Sequence, residues 1–283
     1  MEQYSTKAFV DGFVFLEGPR WYDNALWVSD MMDHKVYKIS EQGDKEVVVE
    51  VPNRPSGLGF MPDGTLIVVS MLDRLVYKLV DGELVLHSDA SETVNGDLND
   101  MVVDDQGRAY IGNFGYDIFG DGEPATAEII LVETDGTHRI VADELDCPNG
   151  TVISRDGKTL VVAESFAGRL TAYDRAANGD LSNRRTVAQF EGLVPDGMCL
   201  DQDGHIWVAL FADKKFVQVD ADGAVIGQVD VAPDAAIACQ LGGADGRTLF
   251  CLTYAGEIAD IAQGKPNAQI QMARVNSPAA GSP

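Results

Sequence analysis

Short apolar runs alternate with turn residues along almost the whole chain. Ile206-Trp207-Val208-Ala209-Leu210, Leu160-Val161-Val162-Ala163 and Leu66-Ile67-Val68-Val69 are strand-length and rich in β-branched and aromatic residues, which predicts buried strands. Each follows another short apolar run and a turn, the turns being Asp63-Gly64, Gln106-Gly107, Asp156-Gly157, Asp203-Gly204 and Asp245-Gly246. Glycine supplies the positive φ of a tight hairpin, so these pairs are read as structural. Beyond them come segments in which apolar and polar residues alternate, such as 35–39, 45–49, 74–79 and 83–86. That period of two marks outer strands with one face toward solvent.

The unit recurs six times, opening on Glu17, Ser56, Asn99, Asn149, Asp196 and, in the last copy, Cys239. The spacing is roughly 40 to 50 residues, the size of one propeller blade. An all-β, six-bladed β-propeller with four-stranded blades follows. A strand at 6–14 precedes the first copy, and the last copy ends on one strand at 270–275. Pairing these two closes the ring and covers two sheet edges. A single domain over 1–275 is expected, with the small, proline-punctuated segment 276–283 frayed.

In a propeller the first strand of each blade lines the central channel, so the residues opening the six copies converge at one end of it. Two carboxylates, Glu17 and Asp196, and two amide oxygens, Asn99 and Asn149, meet there. The two negative charges match one divalent cation, and hard oxygen donors suit calcium, magnesium or manganese. Asn and Asp also close turns before strands, but Glu17 is a poor turn former.

The charge balance changes the picture next. The chain has 283 residues, with 21 basic against 45 acidic side chains and a net charge of −24. Such a surface repels phosphate backbones and anionic membranes, so no nucleic acid and no membrane is expected as partner. The start of the chain lacks a basic segment followed by an apolar core, and no apolar run approaches the ~18 residues that span a bilayer. Cys147, Cys199, Cys239 and Cys251 lack metal-finger spacing and the density of a disulfide scaffold, so a reduced, cytoplasmic protein is expected, a monomer or weak homo-oligomer. His34, His87, His138 and His205 show no pair at ligand spacing. A Gly-x-Ser-x-Gly elbow is absent.

The third copy carries an insertion, 114–128, with Phe114, Tyr116 and Phe119 near the channel mouth. Loops of that length are often lids or binding walls. Arg54 and Ser56 are placed to reach the same mouth.

Four phrases in one register, Glu17-Gly18-Pro19-Arg20-Trp21, Leu98-Asn99-Asp100, Pro148-Asn149-Gly150 and Pro195-Asp196-Gly197, resemble the senescence marker protein, gluconolactonase and luciferin-regenerating enzyme group of six-bladed propellers. The resemblance spans essentially the whole chain. It implies one divalent metal held by Glu17, Asn149 and Asp196, with Asn99 as a further ligand or a substrate contact. Calcium, zinc, manganese and iron(II) are all within the range of the group. It also implies hydrolysis of a small lactone, with Asp196 as general base and Asp100 in reserve for proton handling or substrate orientation. Where sugar lactonases of the group often carry Arg-x-Asn-Asp, this chain has Asp97-Leu98-Asn99-Asp100. A carboxylate at Asp97 in place of that arginine weakens the case for a sugar lactone, and Phe114, Tyr116 and Phe119 nearby make a more aromatic or apolar ring a fair competitor. A propeller that binds metal without turnover, and a phosphotriesterase-type hydrolase, are the competing functions.

Overall fold

The computed structural model of the chain describes residues 1–117, 122–261 and 263–281. These form a six-bladed β-propeller. The first blade runs from the hub outward as Leu16–Tyr22, Ala25–Asp30, Lys35–Ser40 and Lys45–Glu50, and the fifth as Pro195–Leu200, Ile206–Leu210, Lys215–Val219 and Val225–Asp230. Burial falls along the same path. Pro55–Phe60 and Leu66–Ser70 of the second blade are buried throughout, whereas Lys45–Glu50 is largely exposed. The inner strands are therefore apolar on both faces, and the outer ones need only alternate.

Ring closure follows the expected route. Thr6–Phe13 pairs antiparallel with Ala268–Arg274, placing Thr6 opposite Ala273 and Phe13 opposite Ala268. Phe9 and Phe250 pack at 5.7 Å, and Trp21 of the first blade stacks on Phe250 of the sixth at 5.3 Å. A further strand absent from the sequence reading, Glu2–Tyr4, runs parallel to Val225–Asp230 of the fifth blade. Tyr4 meets Trp207 edge-on at 5.7 Å, so the N-terminal segment ties two blades together.

Three expectations change. The sixth inner strand is Ala235–Gly242, beginning before Cys239. Its bulge pairs Ala235 with Tyr254 and Ala238 with Leu252, as the fifth blade pairs Pro195 with Leu210 and Met198 with Val208. Ala236 is thus the counterpart of Asp196, and Cys239 lies three residues further along the strand. Repeat spacing alone could not locate the bulge, because an alanine carries no polar mark.

The terminal segment, expected to fray, is docked as far as Ala280. Asp201 bridges Ala279, Pro278 O accepts from Gln202 N at 2.8 Å, and Ala280 N donates to Leu200 O at 3.1 Å. The segment satisfies backbone groups at the edge of the turn end of the hub, which is reason enough for order. The third change is a short helix, Ile258–Ile261, between the last two strands of the sixth blade.

Candidate active site

Each inner strand enters the hub through a bulge, and the residue before the bulge turns toward the axis. The backbone register makes Glu17, Ser56, Asn99, Asn149, Asp196 and Ala236 equivalent. Glycine usually follows, and close packing is the reason. A Cβ on Gly150 would lie 2.6 Å from Asp196 O, and one on Gly18 2.5 Å from Ser56 O. At Gly18 and Gly150 the neighbouring inner strand approaches to a separation that only glycine permits.

Polar contacts run around this end of the hub. Ser29 Oγ donates to Ser56 O at 2.6 Å, and Ser56 Oγ reaches Asn99 Oδ1 at 3.4 Å. Asn99 Nδ2 donates to Pro148 O at 3.3 Å. Asn149 Nδ2 donates to Ser165 Oγ at 3.3 Å, and that hydroxyl donates to Pro195 O at 2.7 Å. Five blades are linked in sequence, which fixes the rotamers of both asparagines.

The carboxylates are not matched in this way. Glu17 and Asp196 are buried at 8% and 7% exposure. Burial pushes Glu17 well above the usual carboxylate range, and the charges of Asp196 and Asp100 add to it. Burial, then Asp100, lifts Asp196 to about 8, with the Asn149 side chain and Gly197 N–H opposing. Oδ1 of Asn149 and Oδ1 of Asp196 are buried without a hydrogen-bond partner. Two orphaned acceptors beside mutually repelling carboxylates are what a cation would satisfy, since buried oxygens otherwise find donors. Glu17, Asn149 and Asp196, with Asn99 beside them, therefore fit a hard divalent ion.

Asp100 has a definite partner instead. Its Oδ1 accepts from Arg20 Nη2 at 3.0 Å and from Met101 N at 2.8 Å. Both side chains are 5% exposed. Arg20 also donates to Pro19 O at 2.7 Å and to Met101 O. Sequence reasoning passed over Arg20, although a charged residue inside an otherwise apolar inner strand was the available signal. Ser165 was missed too, because its position after the second strand of its blade carries no distinguishing mark.

At the mouth, Asp97 and Arg54 are half-buried. Burial, then Asp117, raises the Asp97 pKa, while Arg54 and Arg74 oppose the rise, so both guanidinium groups lie within electrostatic reach. Arg54 takes a left-handed backbone, φ 66°, and its carbonyl accepts from Met71 N at 2.9 Å. Phe114 is 8% exposed and belongs to the main core. Its N–H donates to Asp97 O at 3.0 Å, so it anchors the mouth from below. Tyr116 is half-buried; Phe119 lies outside the described residues.

Among the described residues, one compact group of three metal-ligating types is Asp201, Asp203 and His205, with ligand atoms within 4.8 Å of one another. It sits in the turn at the opposite end of the inner strand, and three of its four carboxylate oxygens accept hydrogen bonds. Asp201 Oδ1 accepts from Asp203 N and His205 N, each at 2.9 Å, and Oδ2 from Gln218 Nε2 at 2.8 Å. Asp203 Oδ2 accepts from Ser277 Oγ at 2.5 Å. The group closes a turn, as the Asp-Gly pattern implied. No helix among the described residues is long and apolar enough to cross a membrane.

Residues 15–255 match the family model for the SMP-30/Gluconolactonase/LRE-like region. A pentonolactonase of Haloferax volcanii is 29% identical over 251 residues, covering 85% of this chain and 82% of that protein. A regucalcin of Danio rerio is 27% identical over 269 residues, covering 89% and 87%. Among solved structures, a luciferin-regenerating enzyme superposes with a TM-score of 0.83 at 20% identity, covering 95% and 94% of the two chains. A gluconolactonase from Xanthomonas campestris gives 0.78 at 24% identity, covering 95% and 89%. At these identities the superpositions speak to the fold.

Proposed function

The chain belongs to the SMP-30/gluconolactonase/LRE-like family, and from that premise we propose that it is a divalent-metal-dependent hydrolase opening a small hydroxylated lactone. The observation that carries the reading is the pair of orphaned acceptors, Asn149 Oδ1 and Asp196 Oδ1, buried at the hub beside Glu17. A divalent ion held by Glu17, Asn149 and Asp196, with Asn99 adjacent, supplies Lewis acidity toward the substrate carbonyl.

The rest of the chemistry falls to the protein. Asp196 is the general base: it takes a proton from the attacking water as the water oxygen bonds to the acyl carbon. The ring C–O bond breaks, and the proton passes to the departing ring oxygen, giving an open hydroxycarboxylic acid. Near neutral pH that product releases a proton to solvent, which makes turnover visible. Asp100, tied to Arg20, is ill placed to exchange protons and serves instead as a fixed charge near the base. Burial of the hub keeps bulk water from competing with the bound one.

Arg54 and Asp97 at the mouth offer donors and an acceptor to substrate hydroxyls. With Phe114 committed to the core, the case for an aromatic substrate rests on Tyr116 and Phe119. The similarity to a pentonolactonase supports a sugar-type lactone as the first choice. A non-catalytic calcium-binding propeller is the second reading, supported by the likeness to a calcium-binding regucalcin of Agrobacterium tumefaciens, TM-score 0.81 at 19% identity.

A pH-stat screen of pentono-, hexono- and aromatic lactones, with calcium, manganese or zinc and with chelator, separates the two. Metal-restored proton release on at least one lactone is the expected result. Ion binding with no release on any of them selects the second reading.

A further inference from the structure

In five blades the residue after the second strand donates its N–H to the carbonyl two residues ahead of the hub position, as Met71 N does to Arg54 O at 2.9 Å and Phe211 N to Val194 O at 3.0 Å. The ten residues so paired form one layer just outside the hub. Six of them, Phe114 and Ser165 included, are buried. The four that stay half-buried are Arg54 and Asp97, on blades two and three, and Val194 and Phe211, both on blade five. In the sixth blade the same positions hold Ala255 and a buried Asp234, whose carboxylate is taken by Gln269 Nε2 at 2.8 Å and Thr253 Oγ1 at 3.2 Å.

The inner strands follow one another around the ring, so blade five stands opposite blade two and blade six opposite blade three. The mouth is therefore two-sided. Arg54 and Asp97, with Ser56 and Asn99 of the hub beneath them, make a polar side; Val194, Phe211 and the hub alanine, Ala236, make an apolar one. Phe211 packs against the cluster that holds Phe15 and Ile237, from the first and sixth blades, so its ring extends the apolar side toward those blades.

We infer that the site takes a lactone hydroxylated along one edge and apolar at its exocyclic carbon, a 6-deoxyhexonolactone in preference to the hexonolactone, and that Phe211 sets this preference. The inference rests on the hydrolase reading. With the carbonyl at the hub, the ring hydroxyls meet Arg54 and Asp97, and the exocyclic carbon comes against Phe211, Val194 and Ala236. A hydroxymethyl group there buries a hydroxyl among side chains that offer it no hydrogen bond, whereas a methyl group loses nothing. An apolar pocket rejects one added hydroxyl by about ten- to hundredfold in kcat/KM.

The test is the ratio of kcat/KM for a 6-deoxyhexono-1,5-lactone to that for the matching hexono-1,5-lactone, read as metal-dependent proton release by the full chain. Wild-type protein should favour the deoxy compound about ten- to hundredfold. Phe211→Ser should bring the ratio near one, and Phe211→Leu should keep it. Should Phe211→Ser fail to fold, Val194→Thr, which exchanges a methyl for a hydroxyl at constant size, should lower the ratio in the same sense. Arg54→Met should slow both compounds by one factor and leave the ratio alone. If Phe211 serves packing only, Phe211→Ser lowers the melting temperature with the ratio unmoved, which overturns the inference. Equal kcat/KM values in wild-type protein overturn it as well, as does turnover of other lactones but neither of these; in both cases the hydrolase stands. Ion binding with no lactone opened removes the hydrolase and the inference together.

Discussion

Asn149 and Ser165 are joined so that the amide can face only one way: Nδ2 donates to Ser165 Oγ at 3.3 Å, leaving Oδ1 buried with no partner. Ser165 in turn is held by Pro195 O, the carbonyl preceding Asp196. The serine thus orients one proposed ligand and braces the strand that carries another. Ser165→Ala should weaken calcium or manganese binding about 10- to 100-fold, the usual effect of losing a residue that orients a ligand. Calorimetry checks it, and an unchanged dissociation constant would remove Ser165 from the account.

Asp196→Asn keeps an oxygen at the hub and removes the base. Lactone opening should fall by a factor of about 10² to 10⁴, while some ion binding survives. Initial rates beside a binding isotherm on the same preparation decide it; near-full activity would mean that another group takes the proton.

Removing the ion should expose the repulsion between Glu17 and Asp196. Both folded-state pKa values are raised, that of Asp196 to about 8, so the folded chain holds these protons more tightly than the unfolded one. Stability from that source is complete below the unfolded carboxylate range near pH 4 and is lost as pH rises through about 8. In chelator, wild-type protein should therefore lose melting temperature between about pH 6 and 8.5 relative to Asp196→Asn, and calcium should restore more of it at the higher pH. Parallel melting curves for the two proteins would refute this.

Glu164 behaves in the opposite sense. Its side chain is fully buried and accepts from Arg169 Nε at 2.8 Å, Arg184 Nη2 at 3.0 Å, Asp146 N at 3.0 Å and Thr171 Oγ1. Burial alone would raise its pKa, but these donors outweigh it and hold it at about 2. The stability gained is present above the unfolded value near 4.5 and lost as pH falls through about 2. The arginines are 29% and 32% exposed, so Glu164→Gln should cost about 2 kcal/mol at neutral pH, less than the full shift implies. Denaturant unfolding at neutral and acid pH measures it, and the difference between the proteins should shrink in acid.

Gly150→Ala puts a methyl 2.6 Å from Asp196 O and 2.7 Å from Met198 N. Backbone atoms on a neighbouring inner strand cannot step aside cheaply, so a loss of about 1 to 3 kcal/mol is expected. Ion affinity should fall as well, because the strand displaced is the one carrying Asp196. A fully stable variant with wild-type affinity would show that the hub is looser than the spacing indicates.

The chain announced its blades because short apolar runs alternate with turns, a residue–Gly pair closing the hairpin in every copy but the first, and local chemistry of that kind survives in one dimension. Glu17, Asn99, Asn149 and Asp196 were legible for a related reason: each opens its copy at the same offset from the following strand. The sixth position was not, since Ala236 has no polar group to mark it and Cys239 looked like a better opening. The end segment misled for the converse reason. Small residues and prolines read as frayed, yet Pro278, Ala279 and Ala280 bond through backbone groups, which composition does not record.

By itself, then, the sequence determined the repeat, its four-stranded units and the side chains that open the first five copies, because these depend on near neighbours and on a period of two. Only the tertiary structure decided what those side chains meet. The orphaned oxygens of Asn149 and Asp196, the clamp of Ser165 and the pairing of Arg20 with Asp100 join strands that lie far apart in the chain. Bulge register and ring closure set those meetings, and both are properties of the assembled sheets.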